Sequence, residues 1–144
     1  MIVIGDTSGL VAALNVTDPE FKSARVALRS ASATVVSPLV FLEIEHITTR
    51  NVGRRAAHQV NDWLLGQAAT MRVLVPEITV DVLRKARAVQ NRYEALTLDL
   101  ADAVNVVLAE VYETECVLTL ARRDFRAMRP LTGHQAFRLL PDDL

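Results

Sequence analysis

The chain has 144 residues, 51% of them hydrophobic and 23% charged, with 16 cationic against 17 acidic side chains and a formal net charge of -1. That length suits one domain able to bury a core without disulfide or metal staples, and the near-zero net charge excludes a polyanion-binding surface spread over the whole molecule. With Cys116 as the single cysteine, no apolar run of membrane-spanning length and no basic region ahead of an apolar start, the composition predicts a cytoplasmic protein with no disulfides, no secretory signal and no membrane contact.

The first four residues, Met1-Ile2-Val3-Ile4, are largely β-branched and read as a strand buried on both faces, the kind found in parallel sheets covered by helices. A short helix follows over 7–14. Asn15 to Pro19 is a turn that starts a second helix reaching about Ala31. Residues 33–37 form the second strand, and Pro38 opens an apolar helix from Leu39 to about Arg50. Another helix runs from about Arg54 to Ala69, with Val60, Trp63, Leu64 and Ala68 on one stripe. The third strand covers 71–75 and stops at Pro76. An amphipathic helix over 79–94 carries Val80, Leu83, Ala86 or Arg87, and Gln90 at helical spacing, and a nearly uncharged helix spans Leu100 to about Val111. Cys116 to Leu120 is the fourth strand, 122–128 a short basic helix, and 137–140 a marginal last strand. Strands alternating with helices predict right-handed βαβ units and a parallel sheet between helical layers, an α/β fold without repeats or linkers and hence one domain over 1–144.

Acids that interrupt apolar segments are the informative residues, because a carboxylate kept from water is costly unless a cation or donor meets it. Asp6 ends the first strand, where ligands bind in open α/β sheets. Glu43 sits inside Leu39-Val40-Phe41-Leu42-Glu43-Ile44, and Asp102 inside Leu100-Ala101-Asp102-Ala103-Val104. Each has a plain structural alternative. Asp6 or Thr7 can cap the first helix, Asp99 can cap the helix that holds Asp102, and Glu43 can share an exposed stripe with His46 and Arg50. All three acids nevertheless fall near the carboxyl ends of the strands. Carboxylates gathered there repel one another, and a divalent cation such as magnesium or manganese relieves that repulsion and suits phosphodiester hydrolysis. Cys116 reads as a core residue, and His46, His58 and His134 lack ligand spacing. All but two of the cationic residues are arginine, Lys22 and Lys85 being the exceptions, and Arg122, Arg123 and Arg126 form a local cluster.

Asp6-Thr7-Ser8-Gly9-Leu10, Ser37-Pro38-Leu39-Val40 leading to Glu43, Leu100-Ala101-Asp102-Ala103, and Leu118-Thr119-Leu120 before Arg122-Arg123-Asp124-Phe125 resemble the PIN-domain ribonucleases. More narrowly, they resemble the VapC toxins of VapBC toxin–antitoxin systems, and the likeness runs from Met1 to about Pro141. It implies a three-layer α/β/α sandwich and a metal-dependent endoribonuclease that uses magnesium, or manganese. Asp6, Glu43 and Asp102 match the family's metal-site acids, with Thr119 orienting them. Thr7 and Ser8 are expected to hydrogen-bond the carboxylates, and Gly5 and Gly9 to let backbone approach. The family often carries a further acid in a Thr-Leu-Asp sequence, and that position here is Ala121. Asp124 is the expected substitute, with Asp99 the second candidate. Arg122, Arg123 and Arg126 are expected to contact RNA phosphates.

The resemblance also implies a homodimer, a structured RNA substrate (tRNA, rRNA or mRNA), and a VapB-like antitoxin whose tail enters the acidic crevice. Apolar surface on the helices of residues 39–50 and 54–68 is the expected receiving groove. Two other readings share these features. A phosphorylation receiver would need a pair of acids after its first strand, an acceptor aspartate ending its third and a lysine ending its fifth, whereas here the third strand ends at Val75-Pro76-Glu77 and the only lysines are Lys22 and Lys85. A PIN-like module that binds RNA or protein with little or no catalysis would follow if the missing acid at Ala121 disables the chemistry.

Overall fold

The computed structural model describes residues 1–144. Five strands, β1 (Ile2–Gly5), β2 (Ala33–Val35), β3 (Val73–Leu74), β4 (Cys116–Leu118) and β5 (Arg138–Leu140), form one sheet in the order β3-β2-β1-β4-β5. Every pairing is parallel. The helices are α1 (Thr7–Leu14), α2 (Phe21–Ser30), α3 (Pro38–Asn51), α4 (Arg54–Gly66), α5 (Val80–Arg92), α6 (Leu100–Val111) and α7 (Arg122–Ala127).

The period-2 alternation of the strands sorts the core into two halves. Ile4, Val35, Val117 and Leu139 point to one face and pack with Val82, Ala86 and Val89 of α5, the apolar side of α6, and Phe125 of α7. Val3, Val36, Cys116, Leu118 and Leu140 point to the other and pack with Leu10 of α1, Ala24 and Leu28 of α2, Val40 and Ile44 of α3, and Leu64 of α4. The result is the expected α/β/α sandwich. Phe125 meets Phe137 edge to face at 5.6 Å and fixes the orientation of the short α7.

Two predicted stripes hold in part: Ala86 and Leu64 are buried, and Leu83 and Val60 pack on the core from partly buried positions. In α5 the buried side chains are Val82, Ala86 and Val89, while Val80 is exposed. In α4 they are Ala57 and Leu64, and Trp63 is 39% exposed. The third strand is shorter than 71–75 because Met71 takes a left-handed turn at φ 59° before it.

β1 and β4 lie side by side at the centre, so their carboxyl ends open onto one point. The Asp6 N–H extends the ladder to the Leu118 carbonyl at 3.0 Å. Gly9 is required there: a Cβ on it would collide with the backbone carbonyl of Leu118. That contact brings α1 against the end of β4 and sets Ser8 beside Thr119.

Candidate active site

Asp6 occupies the N-cap position of α1, yet its carboxylate makes no cap hydrogen bond. It accepts instead from Thr119 Oγ1 at 2.7 Å, from Ser8 Oγ at 3.3 Å and from Asn105 Nδ2 at 3.3 Å. The Thr119 hydroxyl is itself oriented, because it receives the Ala121 N–H at 2.9 Å and so directs its own proton at Asp6. Ser8 Oγ receives the Leu120 N–H at 2.9 Å and lies 3.3 Å from Thr119 Oγ1. The two residues after β1 and the turn after β4 thus hold one carboxylate in place. Asp6 is only 3% exposed, and burial pushes its pKa up; the bonds from Thr119, the Thr7 backbone and Ser8 offset this only in part.

Glu43 reaches the same place from α3, which Ser37 caps through the Leu39 N–H at 3.1 Å. Its Oε1 accepts the Thr7 hydroxyl proton at 2.6 Å, so it is turned into the site and away from an exposed stripe with His46 and Arg50. Asp102 enters from α6. Asp99 caps that helix, its Oδ1 accepting the Asp102 N–H at 2.8 Å, so the capping alternative holds for Asp99. The pKa of Asp102 is pushed up to about 8 by burial and then by the charges of Asp6, Asp99 and Glu43. Glu43 is raised too, by burial and by Asp99 and Asp6. Three acids are held above the ordinary carboxylate range, and Asp6, Glu43 and Asp102 line one cleft of about 360 Å³ with Thr7, Ser8, Leu120 and Ala121.

The cleft's donors are oxygens, which suits hard cations such as magnesium and manganese. No group of three acids is drawn together tightly enough to hold an ion by itself. Magnesium tolerates this, since it commonly keeps several waters and takes only one or two carboxylates directly. The donor set therefore fits a hydrated divalent ion.

Other sequence expectations are corrected by the side-chain partners. Asp124 lies in the first turn of α7, outside the cleft, because Phe125 beside it is drawn into the core. Arg122 is bound to Glu20 at 2.5 Å and to Asp142 at 2.6 Å, and Arg126 to Asp143 at 2.7 Å. Neither guanidinium is free for a phosphate, since acids of the same chain already hold them. Arg123 is exposed and makes no ion pair with an acid of the chain. His134 lies 3.3 Å from Glu115, and Cys116 is a buried free thiol in the core.

Asn105 is a further residue of the site, beyond the acids and hydroxyls that the sequence singles out. It is fully buried, donates to Asp6, and leaves its own Oδ1 without a partner in the chain. A polar residue inside Ala103-Val104-Asn105-Val106-Val107, one turn beyond Asp102, carries the same signal that singled out the acids.

The PIN domain family model matches residues 3–129. A curated relative, ribonuclease VapC26 of Mycobacterium tuberculosis, is 34% identical over 140 residues, spanning 96% of this chain and 100% of its own length. The crystal structure of M. tuberculosis VapC20, a sarcin-ricin loop cleaving toxin, superposes with a TM-score of 0.71 at 22% identity over 81% of this chain and 87% of that one, a likeness of fold.

Proposed function

Because the chain belongs to the PIN-domain family, we propose that it is a metal-dependent endoribonuclease, the toxin of a type II toxin–antitoxin pair of the VapBC kind. The observation that carries this reading is the convergence of Asp6, Glu43 and Asp102 on one cleft where all three are held above the ordinary carboxylate range and no cation of the chain relieves them. Such a cleft favours whatever brings positive charge.

Asp6, Glu43 and Asp102 are the residues that would hold a magnesium or manganese ion, directly or through its waters. When bound, the ion supplies an acidified water and neutralises charge on the phosphate under attack. The chain's own part is positional. Thr119 and Asn105 fix both oxygens of Asp6, Thr7 fixes Glu43, and Ser8 braces the turn after β4. Leu120 and Val11 give the cleft apolar walls that limit water around the acids.

A toxin of this kind is restrained by an antitoxin. Leu42, Val52, Trp63 and Leu65 stand exposed on and beside α3 and α4, which supports those helices as the seat of an amphipathic segment, and the cleft's negative charge suits a basic side chain at its end. The homodimer is part of the same proposal. No helix is long and apolar enough to cross a membrane.

The test is cleavage of total cellular RNA by purified protein with magnesium, with manganese and with chelator, beside Asp6→Ala. Cuts that need metal and vanish in the variant are expected. Folded, antitoxin-free protein that binds RNA and never cuts it would overturn the nuclease reading in favour of a binding module.

A further inference from the structure

A second cavity, of about 230 Å³, lies between α2 and α4 over β2 and β3, and it shares no residue with the acidic cleft. Arg25 and Arg29 of α2 line it, together with Arg72 from the residue before β3, and no acid does. Arg122 and Arg126 are answered by carboxylates of the chain, whereas none of these three guanidiniums makes an ion pair. Their hydrogen bonds go to neutral carbonyls and are long, Arg25 to Ala13 and Arg72 to Arg29, each at 3.4 Å. Three like charges around one small cavity repel one another, and an anion seated there relieves them.

The floor of the cavity carries an independent sign of a ligand. Thr34 is 2% exposed, and the alternation of β2 turns it toward α2 and α4, since Val35 packs on the opposite face. Its methyl is packed against Gly5, and its hydroxyl, which makes no hydrogen bond within the chain, faces the cavity. A buried hydroxyl is costly unless something meets it. On the rim, Trp63 is 39% exposed, with the Arg25 guanidinium 5.9 Å from its ring centroid, and Gln67 adds an amide.

One guanidinium fork satisfies a carboxylate, which has two oxygens and a single charge; three forks and a hydroxyl suit an anion with more of both. A phosphate monoester carries about -1.5 to -2 charge on three terminal oxygens. Beside it, an indole gives a flat ring a surface to stack on. The cavity is smaller than the roughly 300–1,000 Å³ that holds a drug-sized ligand, so it takes one such unit. We propose that it binds a nucleotide, free or at the phosphorylated end of an RNA strand: Arg25, Arg29 and Arg72 meet the phosphate, Thr34 donates to it, and Trp63 stacks on the base. The site stands apart from the acidic cleft and does not depend on a metal ion there.

The test is titration of the full-length protein in chelator, which keeps metal-held phosphate out of the acidic cleft. The probes are AMP, inorganic phosphate, and a short RNA with and without a terminal phosphate. Trp63 is the only tryptophan, so its fluorescence reads this cavity while calorimetry gives the affinity. AMP is expected to bind more tightly than inorganic phosphate. Arg29→Gln and Arg72→Gln, both at exposed positions, are each expected to weaken AMP about 10–100-fold, the loss of one charge-assisted fork. Thr34→Val keeps the shape and should cost less, about 3–10-fold. Arg87→Gln, on α5 across the sheet, removes the same charge and is expected to leave the affinity unchanged. Tighter RNA binding with the terminal phosphate would sustain the proposal and assign the site to RNA ends; AMP binding without that gain would sustain it for the free nucleotide. No binding of AMP, inorganic phosphate held as tightly as AMP, or an equal loss in Arg87→Gln would overturn it. An acidic peptide that binds the cavity more tightly than AMP would also overturn it, in favour of a protein segment.

Discussion

Two groups of acids in this chain share their chemistry and differ in their surroundings. Asp142 and Asp143, after β5, meet Arg122 and Arg126, and these hydrogen-bonded pairs hold both carboxyls below the ordinary range, Asp143 at about 2. Asp6, buried, and Glu43 and Asp102, partly buried, face one cleft without a cation and lie above it. The first group is complete as folded. The second costs free energy that only a proton or an external cation can offset, and a fold that tolerates such a cost keeps it where function uses it.

The comparison breaks most visibly at Asp6. Asp6→Asn is expected to lower metal-supported RNA cleavage at least ~100-fold, beyond the loss typical of groups that merely support a metal ligand. The same change should raise the unfolding temperature of the metal-free protein by a few degrees, because a buried charge is replaced by a neutral amide. Asn105 has the unpaired Oδ1 needed to receive the new amide protons once its own amide turns. Equal activity in the variant, or a fall in stability, would place Asp6 among ordinary buried residues.

One step out, Thr119→Val keeps shape and removes the hydroxyl that links Asp6 to the Ala121 N–H. A 10–100-fold loss of Mn²⁺ affinity is expected, with kcat falling in parallel. Thr119→Ser should retain most of both, which separates the hydroxyl's role from packing.

Proton linkage sharpens the contrast. The folded state binds more protons than the unfolded chain wherever pH lies between the ordinary carboxylate value of 3.8 and the raised value of about 8 for Asp102. Stability of the metal-free protein therefore falls as pH rises through that window, and is regained on acidification from about 8 toward 4. Asp142 and Asp143 act with the opposite sign, since their stabilisation is present above the ordinary value and lost below it, toward about 2 for Asp143. Thermal melts in chelator should show a maximum on the acid side of neutrality, on the order of 5 °C above the value at pH 8, and saturating magnesium should flatten the neutral limb. Identical profiles with and without metal would mean that the cleft acids do not sense the ion.

How much of this could be read in advance depended on how local the signal was. The bounds of α6 fall where its cap Asp99 and its apolar run put them, and those of α1 where the chain leaves the apolar first strand, since both signals lie within a few residues of the helix end. The three cleft acids were legible because each interrupts an apolar run. Asn105 obeys the same rule without carrying a charge. The buried face of α5 was legible only in part, through Leu83 and Ala86: that Val82 and Val89 are buried and Val80 is exposed follows from packing on α6, a tertiary fact. The fates of Arg122 and Arg126 were hidden in the same way, since Asp142 and Asp143 meet them only once β5 is docked and Glu20 lies at the far end of the sequence from Arg122.

The arginines provide the smallest effects and the finest discrimination. Arg126 is half exposed and bound to Asp143, so Arg126→Ala should cost no more than about 1 kcal/mol of stability. Because its charge is already answered within the chain, the dependence of RNA binding on salt should hardly change. Of the three arginines proposed to meet RNA, Arg123 alone has no acid partner in the chain. Arg123→Ala should leave stability within about 0.5 kcal/mol, weaken RNA binding, and lower the slope of log affinity against log salt by roughly one. Binding curves at several salt concentrations, measured on catalytically silent Asp6→Asn protein, would read both slopes. A larger change for Arg126 than for Arg123 would mean that RNA pulls the guanidinium away from Asp143, and that the two acid groups exchange partners when substrate arrives.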